Sequence, residues 1–90
     1  MVTWDKVKLS SNIAKHGLGF EGVATIFDHP VLSWEDDREH YGELRINLLG
    51  WLNGQMVHLT YTERSGSMHV TSLRKAETHE IKRYIKAISK

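Results

Sequence analysis

Cysteine is absent from this 90-residue chain, and proline occurs once. Without cysteine there is no disulfide framework, no thiolate zinc site and no cysteine nucleophile. No apolar run approaches the ~18–20 residues that a membrane-crossing helix needs. The sequence also lacks a glycine-rich phosphate loop, a Gly-x-Ser-x-Gly elbow and a His-Glu-x-x-His pair. Its opening, MVTWDKVKLS, brings charge by Asp5 with no apolar stretch behind it. That is not the pattern of a secretory leader, so a cytoplasmic location with no membrane contact is expected.

What is present is an ordinary globular balance, 40% hydrophobic and 26% charged, which excludes disorder over the whole chain. The length predicts one domain spanning 1–90 with a thin core. A net charge of +1 conceals an asymmetry. Residues 1–45 carry 5 Lys/Arg against 8 Asp/Glu, or −3, and residues 46–90 carry 7 against 3, or +4. The acidic stretch is densest at Glu35, Asp36, Asp37, Glu39 and Glu43, and the basic excess begins at Arg64. Such polarity suits a phosphate backbone at one end and a basic partner at the other, or simply two solvated faces.

Periodicity predicts an α+β fold. Val2-Thr3-Trp4 reads as a short first strand. Asp5 is a candidate N-cap for a helix over 6–16, which Gly17 would close in the left-handed conformation. Phe20, Val23, Ala24 and Phe27 fall at i, i+3, i+4 and i+7, the stripe of a second helix ending before Pro30. A short strand over 31–35 and an acidic loop over 36–42 follow. Alternation around Leu44–Leu48, Val57–Thr62 and Met68–Leu73 predicts three strands. Asn53-Gly54 supplies a type I′ hairpin turn, and Ser65-Gly66-Ser67 a second turn, so these strands form an antiparallel meander. Ile81, Tyr84, Ile85 and Ile88 mark a final helix over 78–89, capped by Glu77 or Thr78. The helices are expected on one sheet face, with the other partly open and polar.

Few residues stand out chemically. The six histidines fall at no metal-ligand spacing, and no metal or cofactor is expected. His16, beside Lys15 at a helix C-terminus, sits where the helix dipole favours a cation. It suits a phosphate contact or a general acid, or merely a cap. Arg64 and Arg74 close successive strands, and their planar forks suit phosphate. Salt bridges to Glu43, Glu63 or Glu77 would explain them equally well. Trp4, Trp34 and Trp51 could stack nucleobases or pack at the sheet rim.

The sequence resembles the BrnT family of type II toxins, ribonucleases with a RelE-like fold. Trp4-Asp5, Lys8, Asn12 and Lys15-His16-Gly17 are similar to the family's opening motif, and Phe20-Glu21 and Ala24 continue it. Gly42-Glu43-x-Arg45 and Leu49-Gly50 resemble its G-E-x-R and I/L-G strand. Tyr61-Thr62-Glu63-Arg64 matches Y-T-x-R. Ser72-x-Arg74-Lys75-Ala76, Glu80 and Tyr84 match its closing S-A-R-K-A, E and Y. Four positions depart from the pattern. Gly19-Phe20-Glu21-Gly22 stands in place of Ser-x-Glu-Glu, His69 in place of an arginine, and Leu73 in place of an alanine.

The resemblance implies a RelE-like arrangement of two N-terminal helices, a small antiparallel meander and a C-terminal helix. It implies a metal-independent endoribonuclease that cuts RNA and stops growth. A cognate BrnA-like ribbon-helix-helix antitoxin would neutralise it and carry it to operator DNA. Such cleavage needs a base, an acid and cations around the phosphorane. The assignment expected here gives Arg64 and Arg74 the phosphate, with His16 as acid or base. Lys8 and Lys15 would be supporting cations, and Glu43, Arg45 and Glu63 second choices. With His69 removing a fixed charge, a non-catalytic RNA- or antitoxin-binding module is the alternative.

Overall fold

The computed structural model describes residues 1–38 and 42–89. Glu39 and the rest of 39–41 in the acidic loop lie outside them. The chain runs β1 (Val2–Trp4), α1 (Lys6–His16), a 3-10 turn (Val23–Asp28), β2 (Leu32–Glu35), β3 (Arg45–Leu52), β4 (Gln55–Arg64), β5 (Ser67–Lys75) and α2 (Thr78–Ile88). The mixed α+β class matches expectation, but the detail differs in three respects.

First, there is one N-terminal α-helix, not two. Gly22 adopts φ 73°, a left-handed turn that breaks the expected stripe, and only a 3-10 segment follows. Of the expected stripe only Phe20 and Val23 are buried; Ala24 and Phe27 turn outward, and Ile26 enters the core in their place. Second, the sheet has five strands in the order β1-β5-β4-β3-β2. The meander β3-β4-β5 is its centre, β2 pairs antiparallel with β3, and β1 pairs parallel with β5. Third, the helices do not share a face. α1 and the 3-10 turn cover one face, where Leu48, Val57, Leu59, Val70 and Leu73 build the larger core. α2 lies on the opposite face over one end of β3, burying Leu49, Met56 and Tyr84.

Local chemistry explains the element ends. Asp5 accepts from the Val7 N–H, and Gly17 closes α1 at φ 70°. Glu77 and Glu80 form a reciprocal capping box at the start of α2. Asn53 and Gly54 take φ 51° and 75°, as a type I′ turn requires. Gly50 is required by close approach. A Cβ there would meet Ile26 Cγ1 at 2.8 Å and Val31 Cγ1 at 3.2 Å.

β1 pairs with β5 only as far as Val70, so the outer edge of β5 beyond it lacks a strand partner. Asn12 fills that place. Its Nδ2 donates to the Leu73 carbonyl at 2.7 Å, and its Oδ1 accepts from the Leu73 N–H at 2.9 Å. The polar stripe Lys8, Ser11, Asn12 and Lys15 therefore lies along the sheet edge, next to the open part of the second face.

Candidate functional site

The open face is built by alternation. The register sets Arg45, Thr62, His69 and Thr3 in one cross-strand row, and Trp34, Asn47, Thr60 and Ser72 in the next. Leu49, His58 and Arg74 make a third, against α2. A bulge at Thr60/Tyr61 shifts β5 by one residue and keeps Ser72 and Arg74 on this face.

Two basins form here. One, of about 370 Å³, lies between α1 and the sheet and is lined by Lys8, Ser11, Lys15, His16, Arg45 and Ser72, among others. The other, of about 440 Å³, is lined by Trp34, Arg38, Arg45, Asn47, His58, Thr60, Ser72, Arg74 and Glu80. Arg45 and Ser72 border both, so the two make one groove running from α1 across the sheet to α2.

The groove brings together most of the residues singled out above. Lys8, Lys15, His16 and Arg45 share the first basin, and Arg74 lies in the second. Arg64 is separated from Arg74. Arg64 pairs with Ser67 while Arg74 pairs with His58, six residues earlier on β4, which is about 20 Å along the strand. One phosphate cannot bridge both backbone positions. Arg64 instead meets Glu43 through two contacts of 3.2 Å, which hold the Glu43 carboxyl below its usual range. Glu63 alternates onto the other face, where its charge, after burial, helps push the Tyr61 hydroxyl up.

Arg74 is held by design of the fold. Its Nη1 and Nη2 donate to the two oxygens of Glu80 at 2.8 and 2.9 Å, and Nη1 also reaches the Lys75 carbonyl. This leaves the Nε–Nη2 edge of the fork directed elsewhere. The Glu80 carboxylate, 8% exposed, is pulled to a pKa of about 2, chiefly by Arg74. Burial, ahead of the Arg74 charge, pushes the His58 imidazole below its ordinary value. Across the groove Asp36 is 5% exposed and bonded to Arg38 at 2.8 and 2.9 Å, with Arg45 at 3.3 Å. Arg38 holds its pKa at about 2. Asp36 is thus an anchor for the groove's cations, unlike the solvated loop carboxylate that its acidic neighbours suggest. His69 is hydrogen-bonded to Thr3, Nδ1 to Oγ1, at 2.9 Å.

Asp36, Glu80 as the anchor of Arg74, and His58 were not singled out as site residues by composition or spacing. Alternation along β4 was the available signal for His58, which shares a face with Thr60 and Thr62. Glu77, His79 and Glu80 bring ligand atoms within 4.8 Å of one another. Both Glu80 oxygens are already taken by Arg74, and Glu77 and His79 are exposed.

Fold and groove define a small α+β protein with a cation-lined channel on a half-covered sheet. Residues 4–80 match the family model described as the ribonuclease toxin, BrnT, of a type II toxin–antitoxin system, and the chain belongs to that family. A comparison with curated proteins gave no match. Among the described residues no helix is long and apolar enough to cross a membrane.

Proposed function

We propose that this chain is a metal-independent endoribonuclease that cuts RNA in the groove between α1 and α2. The observation carrying this reading is the junction of two basins at Arg45 and Ser72, with Lys8, Lys15 and His16 on one side and Arg74 on the other. A single-stranded phosphodiester backbone fits a channel lined in this way, because its cations neutralise the phosphates that pass along it. Cleavage has the 2′-oxygen attack phosphorus and the bond to the 5′-oxygen break. The products are a 2′,3′-cyclic phosphate and a 5′-hydroxyl.

In this reading Arg45 and Arg74 stabilise the charge that develops on the phosphorane. Arg74 does so through the edge of its fork that Glu80 leaves open. Lys8 and Lys15 add positive charge, and His16 exchanges a proton with the entering or leaving oxygen. These groups supply the charge that a metal would otherwise bring. Arg64, oriented by Glu43 at the far end of the face, binds a phosphate several nucleotides away.

The partner in this reading is a BrnA-like ribbon-helix-helix antitoxin. It covers the groove, excludes RNA, and leaves its own DNA-binding half free for the operator. Cleavage of RNA in chelator, with a cyclic phosphate product, tests the catalytic part. Retardation of RNA without product would make the same face a binding module.

A further inference from the structure

The second basin holds an aromatic ring that the cleavage chemistry does not use. Trp34 stands on the edge strand β2 opposite Asn47, half-buried. Arg83 of α2 lies over its indole, 4.1 Å from the ring centroid. His58 meets the same ring edge-on, with centroids 5.9 Å apart. A pocket for phosphate alone needs cations and little else. This one has an indole wall and a floor of Asn47 and Thr60, 8% and 5% exposed. The Thr60 hydroxyl donates to Asn47 Oδ1 at 2.8 Å and the Asn47 amide also donates to the Asp36 carboxylate, so the floor keeps acceptor capacity on Thr60 and one amide proton on Asn47. Arg74 stands at the same basin, so a phosphate held there would leave its neighbouring base beside Trp34.

We infer that this basin is a nucleobase subsite, in which one RNA base stacks on Trp34 above the Asn47–Thr60 floor. The inference rests on the RNA reading above and adds a residue that holds base rather than phosphate. Stacking on an indole accepts any base, because every base has a π face, and Arg83 reinforces it from the helix side. Trp34 therefore fixes which nucleotide is seated and, through it, which phosphate reaches Arg74. Asn47 and Thr60 supply whatever choice is made among bases.

The test uses a short, labelled 2′-O-methyl oligonucleotide, which binds without being cut, and a set of versions with one abasic residue at each position. Dissociation constants are measured by fluorescence anisotropy for the wild type and for Trp34→Ala, Trp34→Leu and Trp34→Phe. Thermal unfolding is recorded for each variant. The leucine variant keeps apolar bulk at the sheet edge should alanine fail to fold. At one position, losing the base weakens wild-type binding about tenfold, while the alanine and leucine variants respond less than about twofold and phenylalanine stays close to wild type. Equal responses of wild type and variants at every position overturn the subsite and leave the RNA reading standing. Absence of wild-type binding to any of the oligonucleotides overturns both.

Discussion

The side-chain amide of Asn12 pairs with the backbone of Leu73 as a neighbouring strand would, Nδ2 donating at 2.7 Å and Oδ1 accepting at 2.9 Å. A second Nδ2 proton reaches the Leu18 carbonyl at 2.8 Å. One residue thus ties α1 to the free edge of β5 and to the segment after the helix. That tie sets Lys8 and Lys15 beside Ser72.

Asn12→Ala removes three hydrogen bonds and strands the buried Leu73 N–H. A loss of about 2–4 kcal/mol is expected from urea unfolding. A loss below about 0.5 kcal/mol would show that α1 is held by apolar packing alone.

Arg64→Ala and Arg74→Ala separate by stability. The Arg64–Glu43 pair is exposed and screened by water, so its loss leaves the melting temperature close to wild type. Arg74→Ala leaves the Glu80 carboxylate buried without its partner and costs about 1–3 kcal/mol. Arg74→Ala is expected to lower the cleavage rate at least tenfold, about 1.4 kcal/mol of transition-state stabilisation, whereas Arg64→Ala weakens RNA binding and leaves the rate of the bound complex close to wild type. Single-turnover rates and melting temperatures, taken together, check this. Equal and small stability losses would contradict the anchoring of Arg74 by Glu80.

Acid should weaken the fold in two windows. His58 has a folded pKa below its ordinary 6.5, so the unfolded chain takes up a proton that the folded chain refuses. Stability from this group is complete above about pH 6.5 and declines as pH falls below it. Glu80 and Asp36 have folded values of about 2. Their contribution is present above pH ~4.5 and is lost as pH falls towards 2. Glu80 accounts for on the order of 1 kcal/mol after solvent screening. Denaturant midpoints against pH should flatten in the upper window for His58→Gln and in the lower one for Glu80→Gln. Unchanged slopes in those variants would contradict these assignments.

Much of the fold could be read from the sequence because its signals are local. The bounds of α1, the Asn53-Gly54 turn, a cap at Glu77 or Thr78 and the alternation of β3, β4 and β5 each depend on a few adjacent residues. The 3-10 turn departs from its local pattern. Phe20 and Val23 face the core as predicted, but Gly22 at φ 73° starts too short a segment for an α-helix, and the tighter turn buries Ile26 where Ala24 and Phe27 were expected. The parallel pairing of Val2–Trp4 with Met68–Val70 joins opposite ends of the chain, and no local pattern announces it. The site was legible in the same uneven way. Lys8, Lys15 and His16 share a basin because helical spacing puts them on neighbouring positions. The distance between Arg64 and Arg74 depends on strand register, and the burial of Asp36 on two arginines, one of them from another strand. Neither is visible in residue types.

Positive charge along α1 should appear in the salt dependence of binding. Lys8→Gln and Lys15→Gln are each expected to lower the slope of log K against log salt for uncut RNA by about 0.7. The effect should be uniform across sequences, as befits a phosphate contact. Unchanged slopes would place the RNA elsewhere on the molecule.

The most direct test of the account is single-turnover incubation of a short RNA with the purified protein in excess EDTA, followed by analysis of the product ends. Cleavage is expected to persist in chelator and to yield a 2′,3′-cyclic phosphate and a 5′-hydroxyl, with a single 2′-deoxy substitution blocking the cut at that site. Cleavage that vanishes in EDTA and returns with a divalent ion, or binding without any product, would contradict it.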